Sequence, residues 1–209
     1  MGKVLTNIIR WAFFILFVGI VSTGKMNIWL AIFGLTVAGA LFFGRFFCGY
    51  VCPMNTLMIP IGILSRKLKI QRKDVPKWMN STAGAVIVLV LSLAAVLISK
   101  RMLGKNLPIL FVLLAVAVIV TIRYPESGFH NGLCPFGLIQ SITGRFAMFS
   151  KRVKVDKCVG CAKCVQVCPS AAVVVDNDKK KAQINRSLCH QCQNCTTACP
   201  TQAISYGKY

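Results

Sequence analysis

Four apolar runs decide what this chain can fold into. Roughly Leu5 to Ser22, Ile28 to Phe43, Ala83 to Ile98 and Leu107 to Ile122 carry almost no charge. With a few flanking residues each approaches the ~20 residues that cross a bilayer. Lipid offers the backbone no hydrogen-bond partners, so such runs must be helices. The expected fold is therefore a membrane α-helical region of four transmembrane helices over residues 1–150, followed by a small soluble segment over 151–209. A hydrophobic content of 56% against 14% charged residues fits a membrane protein better than a soluble one. The first run, behind Lys3 and Arg10 and ending near "VSTG", also has the outline of a signal peptide. It is read here as a retained span.

Charge gives the orientation. Arg45, Arg66, Lys67, Lys69, Arg72, Lys73 and Lys77 lie between the second and third runs, whereas the first turn carries only Lys25. The positive-inside rule then puts the basic loop, both termini and the soluble segment in the cytoplasm. Lys100, Arg101 and Lys105 in the third turn run against the rule. Acidic residues number five against 25 Lys and Arg, which suits anionic membrane lipid and an acidic protein partner. Nucleic acid is not expected, because the cations flank apolar runs and form no patch with interleaved aromatics. Leu57, Met58, Ile61 and Leu64, and again Leu138, Ile139, Ile142 and Phe146, suit helices along the headgroups. Pro60 is expected to interrupt the first of them.

The soluble segment is marked by cysteine. "CVGCAKCVQVCP" from Cys158 and "CHQCQNCTTACP" from Cys189 repeat every cysteine at an offset of 31. This spacing lets three thiolates wrap one face of an iron–sulfur cubane while the fourth reaches another cluster. A zinc ribbon also uses CxxC pairs, but needs neither the third cysteine nor the trailing Cys-Pro. From Cys158 to about Ser205 the pattern resembles two-cluster bacterial ferredoxins, which implies a small α+β fold holding two [4Fe-4S] clusters. The resemblance implies crossed ligation: Cys158, Cys161, Cys164 and Cys199 on one cluster, Cys189, Cys192, Cys195 and Cys168 on the other. It also implies that "AAVVV" and "AISY" are short strands. His190, inside the second run, is expected on the surface; protonated beside a cluster it would tune the potential.

A second, sparser repeat lies in the membrane half. "FCGYVCPMN" from Phe47 and "FHNGLCPFG" from Phe129 align at an offset of 82, pairing Cys48 with His130 and Cys52-Pro53 with Cys134-Pro135. Each copy follows a helical pair, so a duplicated two-helix unit is expected. Two such units about a pseudo-twofold axis would bring Cys48, Cys52, His130 and Cys134 together. Soft thiolates with imidazole suit iron–sulfur or zinc. Proline after each second cysteine suits the first turn of a helix, whose amino terminus favours a negatively charged cluster. A histidine ligand would raise its potential. The plainer reading makes these cysteines small buried residues in tight turns.

Repeated Cys-x3-Cys-Pro motifs in a helical membrane segment, followed by two ferredoxin runs, resemble membrane-bound polyferredoxins of the NapH and NosR type over nearly the whole chain. The resemblance implies electron movement between the quinone pool, cytoplasmic donors and membrane partners. His130 departs from it, standing where the second motif usually has cysteine, and no large outward-facing domain is present.

Missing residues exclude other chemistry. With two histidines in all, the chain has too few near the bilayer for a bis-histidine haem. Asp74, Glu126, Asp156, Asp176 and Asp178 avoid the apolar runs, so no buried carboxylate relay for ion pumping exists. Glu126, near the membrane edge, is the candidate to exchange a proton with quinone; otherwise it is a solvated turn residue. The expected function is that of an electron-transfer subunit in a membrane oxidoreductase complex: two [4Fe-4S] clusters and a third iron–sulfur cluster, [2Fe-2S] or [4Fe-4S], at the membrane face. It would relay electrons between a soluble acidic ferredoxin or flavodoxin and a quinone or other membrane redox subunits. The alternatives are an assembly or maturation factor that reduces a metal or cofactor, and, last, a redox sensor.

Overall fold

The computed structural model of the protein describes residues 3–72, 74–103, 108–176 and 178–208. Lys73, Lys105 and Leu107 lie outside them. The chain forms two compact units, one of Met1–Arg10, Gly34–Val51 and Ile139–Tyr209, the other of Trp11–Phe33 and Cys52–Leu138.

Three helices are long and apolar enough to span a membrane: α1 (Lys3–Ser22), α2 (Met26–Phe43) and α4 (Thr82–Leu103). Their outward side chains are greasy, as Ile8, Ile15, Leu35, Ile87, Leu91 and Leu97 show. The fourth run becomes α5 (Ile109–Arg123), apolar but only 15 residues, or about 22 Å at 1.5 Å per residue against a hydrocarbon core of ~30 Å. Tyr124, held extended ahead of Pro125, ends it.

Gly44, at φ +71°, terminates α2, its N–H returning to the Ala40 carbonyl. A single π-helical turn (Phe47–Val51) follows, then α3 (Pro53–Lys67), which opens on proline in its first turn. Contrary to the expectation from Pro60, α3 runs through that residue unbroken. Nor does it lie alone on the headgroups. It packs against α5, with Ser65 Oγ donating to the Ile122 carbonyl. Beyond its end, Gln71 Nε2 reaches the carbonyls of Thr121 (2.7 Å) and Tyr124 (3.0 Å). This docking outweighs the one hydrogen bond that proline removes. A 3-10 turn (Lys77–Asn80) leads into α4, and α5 is followed by α6 (Glu126–Gly132) and α7 (Pro135–Gly144). Phe17 is buried between Trp29 and Phe111, edge-on to both.

The carboxy-terminal part, from residue 149 onward, is α+β. Strand β1 (Phe149–Val153) pairs antiparallel with β4 (Ile204–Lys208), and β2 (Val173–Val175) with β3 (Ala182–Ile184). The "AAVVV" and "AISY" stretches thus do supply strands. Short helices α8 (Lys163–Gln166) and α9 (Asn194–Ala198) sit within the two cysteine runs. Ala172, Val173, Ala182, Ile184, Ala203 and Ile204 form a small core among the cysteines. At the end of α2 the rings of Phe43, Phe149 and Tyr206 stack in a row, 6.4 Å apart at each step.

Candidate functional site

The two cysteine runs interleave in space. Cys158, Cys161, Cys164 and Cys199 line one cavity, walled by Val153, Gly160, Ala182, Thr201 and Ile204. Cys161 is exposed there; Cys158 and Cys164 are buried. Cys189, Cys192 and Cys195 form a second group, and Cys168 of the first run joins it, interacting electrostatically with all three. Burial, reinforced by the neighbouring thiols, pushes Cys189 and Cys195 up to about 12. Cys189, Cys192 and Cys195, buried together, hold on to their protons until a cationic centre takes their place, and with Cys168 they make the donor set an iron–sulfur cluster requires. Among the described residues, no three His, Cys, Asp or Glu side chains are gathered tightly enough to hold a single metal ion.

The offset of 31 extends to conformation and bonding. Gly160 and Gln191 share the left-handed region, as do Ala171 and Gln202. Cys168 Sγ receives the Ala172 N–H at 3.3 Å and lies 3.6 Å from Ser170 Oγ. Cys199 Sγ repeats this with Ala203 N–H at 3.3 Å and Thr201 Oγ1 at 3.6 Å. Cys158 Sγ takes the Ala182 N–H at 3.4 Å. Such bonds favour the charged sulfur and set a cluster's potential.

Where the repeat diverges, the second copy is anchored. Gln191, left-handed despite its side chain, is buried and gives Nε2 to Ser150 Oγ (2.8 Å), while Oε1 takes the Lys151 N–H (3.1 Å). A Cβ on Gly44 would stand 2.5 Å from that amide nitrogen. Tyr50 Oη donates to the Gln191 carbonyl at 3.2 Å, and Gln193 Nε2 reaches Tyr50 Oη at 3.3 Å. Gly49 meets the His190 carbonyl so closely that a Cβ would overlap it. His190 is accordingly not on the surface, as its sequence position suggests, but 1% exposed under this contact.

The membrane motifs divide between the units, Cys48 in the first and Cys52, His130 and Cys134 in the second. All four are buried. Arg45, 1% exposed, turns Nη2 to Cys48 Sγ at 3.8 Å and Nη1 to the Ser187 carbonyl at 3.2 Å. Cys52 and Cys134 each stand just before a helix that opens on proline. The Cys134 sulfur accepts the Gly137 N–H at 3.3 Å, capping α7. His130 Nε2 lies 3.2 Å from Oδ1 of buried Asn55. Glu126 is not a solvated turn residue: it is buried at the start of α6, and Arg66 Nη1 bonds both its carboxylate oxygens, at 2.9 and 3.1 Å. This is the only carboxylate–cation pair among the described residues.

Arg10, Arg45 and Gln191 were not legible as site residues. The single signal was Arg10 itself, a cation inside an apolar run, where charge is costly and therefore functional by default.

Two families match the chain, a 4Fe-4S binding domain over residues 28–71 and a 4Fe-4S dicluster domain over residues 157–203. The first span contains Cys48 and Cys52, the second all eight cysteines of the soluble part. Among curated relatives, the putative electron transport protein YccM of Escherichia coli is 24% identical over 77% of this chain and 50% of its own length. The regulatory protein NosR of Stutzerimonas stutzeri is 30% identical over 77% of this chain but 24% of its own. The ferredoxin-type protein NapH of Escherichia coli is 25% identical over 79% of this chain and 62% of its own. The chain thus spans from a quarter to under two thirds of these relatives. No solved structure matches it.

Proposed function

Because the chain is homologous to ferredoxin-type proteins of the NapH and NosR kind along most of its length, we propose that it is a membrane-bound iron–sulfur electron-transfer subunit. It relays electrons between a soluble acidic carrier and a quinone or another membrane redox subunit. The observation that carries this reading is the crossing of the two cysteine runs, Cys199 lining the cavity of the first run and Cys168 joining the second. Cys158, Cys161, Cys164 and Cys199 hold one [4Fe-4S] cluster, and Cys189, Cys192, Cys195 and Cys168 the other. Bound there, a cluster supplies reversible one-electron chemistry. The chain's own part is to exclude water, to aim the amides of Ala172, Ala182 and Ala203 at the ligating sulfurs, and to offer a cationic surface. From Lys151 onward ten basic residues face three acidic ones, so an acidic ferredoxin or flavodoxin is steered there.

The membrane half holds a third iron–sulfur cluster between Cys48, Cys52, Cys134 and His130. Three facts support this. The 4Fe-4S binding domain match encloses the first two cysteines. Arg45 is buried beside Cys48 with no carboxylate partner among the described residues, so an anionic group bound at that sulfur would offset the burial of its charge. Asn55 bonds the His130 ring through Nε2, as outer partners of ligating histidines do. The chain crosses the membrane four times as a duplicated two-helix unit, α5 spanning with help from its flanks, and both termini are cytoplasmic. Glu126 remains the group nearest to the motifs able to exchange a proton with quinone.

Iron and acid-labile sulfide analysis with EPR on purified protein, before and after Cys52→Ala, tests the reading. Loss of one signal with both ferredoxin signals intact is expected. Three unaltered signals would remove Cys52 from the ligand set, and a protein without cluster signals would end the proposal. Intact clusters without quinol turnover in membranes would point instead to a maturation factor.

A further inference from the structure

Arg10 has no ordinary reason to be where it is. It belongs to an apolar helix, is 5% exposed, and has no carboxylate partner, since the only such pair among the described residues is Arg66–Glu126. Its Nε donates to the Gly49 carbonyl at 2.7 Å. Its Nη2 is buried with no hydrogen-bond partner among the described residues. A buried cation whose donors are left over carries a large desolvation penalty unless an anion is near. The structure indicates where that anion sits. Gly49, which Arg10 holds, packs against the His190 carbonyl and lies near the Cys192 backbone nitrogen, 3.5 Å from where a Cβ would be. The Arg10 guanidinium interacts electrostatically with the Cys192 sulfur.

A second buried cation faces the same sulfurs. Lys151, 3% exposed on β1, gives Nζ to Gln193 Oε1 at 2.9 Å and interacts with Cys189, Cys192 and Cys195. Among the described residues the other cysteine set has no such buried pair. Lys181, bonded to the Cys158 carbonyl, is only partly buried, and Cys161 is exposed, so water screens charge there.

We propose that Arg10, with Lys151 as its companion, is the buried counter-cation of the cluster held by Cys168, Cys189, Cys192 and Cys195, and that it raises that cluster's reduction potential. This rests on the electron-transfer reading above. Reduction adds one electron, from the reductant of the titration, to a group already negative through its thiolates. Burial alone disfavours that extra charge; a fixed cation in a poorly screened site favours it. Arg10 is thus a positioning residue that acts through the field, and it ties the potential of a soluble-type cluster to a membrane helix.

The test is redox titration with EPR on the full-length protein, the cluster concerned being the one whose signal Cys192→Ser alters. Arg10→Gln should shift that cluster's midpoint to more negative potential and leave the Cys161 cluster in place, while Arg10→Lys, which keeps the charge, should restore most of the shift. Iron-replete Arg10→Gln protein with both midpoints unchanged overturns the proposal, as does an equal shift of both. Should Arg10→Gln lose its iron, Lys151→Met decides by the same criterion: a negative shift of the Cys192 cluster alone supports the pair, and no shift refutes it. Wild-type protein without clusters would sink the electron-transfer reading and this proposal with it, whereas unchanged midpoints in iron-replete Arg10→Gln protein overturn the role of Arg10 alone.

Discussion

Replacing Gly49 by alanine is the sharpest single test of how the Cys189–Gln193 loop is seated. The added methyl would overlap the His190 carbonyl oxygen, with the Cys192 nitrogen at 3.5 Å behind it. Both obstacles are backbone, so neither can swing aside as a side-chain tip would. Overpacking of this kind costs ~1–3 kcal/mol. Relief requires the loop to back away, which lengthens the Tyr50 Oη to Gln191 bond, worth ~0.5–1.5 kcal/mol net. The total is a destabilisation of about 1.5–4.5 kcal/mol, concentrated on one cluster. Thermal bleaching of the visible iron–sulfur absorbance should therefore become biphasic, the early phase carrying the EPR signature of the Cys192 cluster. Gly19→Ala is the control: its Cβ meets nothing within 4 Å, and alanine in a helix gains ~1 kcal/mol. If Gly49→Ala bleaches like the wild type in a single phase, the close approach does not exist and the docking argument fails.

Three other outcomes are open to measurement. Ser170→Ala should lower the potential of the Cys189 cluster and Thr201→Ala that of the Cys158 cluster, because each removes a hydroxyl 3.6 Å from a sulfur that serves the other run's set; redox titration with the shifts assigned the other way round would refute crossed ligation. Reduction by an acidic ferredoxin should slow as salt rises, by tenfold or more between low and high ionic strength, and a flat stopped-flow rate would discard the steering surface. Glu126→Gln should cost no more than about 1 kcal/mol in thermal melts, since the Arg66 partner is 51% exposed, yet abolish quinol turnover if Glu126 serves as the proton carrier; full turnover would remove it from that role.

The soluble half was the more legible because ligand spacing is a local rule that the two cysteine runs state twice, and the resemblance those runs carry also implies the strand stretches. The membrane half was less so. Pro60 reads as a break, but the polar groups from Ser65 to Gln71 that bond α5 carbonyls cannot be matched to partners some 50 residues away by pattern. His190 and Glu126 look like solvated residues because a polar letter in a turn does not announce the backbone that will cover it. Gln191 was invisible for the opposite reason: Gly160, its counterpart, explains the left-handed turn alone, and only the packing shows why the second copy tolerates a side chain there. Arg10, with Lys3, reads in sequence as the basic lead-in of a signal-peptide-like run, whereas the structure sets it beside the Cys192 sulfur.

The row of rings from Phe43 through Phe149 to Tyr206 has a practical corollary for anyone cutting the gene. A water-soluble fragment begun at β1 would keep all eight clustered thiols but strip Phe43 from one face of the stack, together with the collar around Gln191. A ring face that Phe43 covers becomes bare aromatic surface. Such a fragment should self-associate, and electrochemistry on it would describe a wetted surface in place of the clamped one the intact molecule presents.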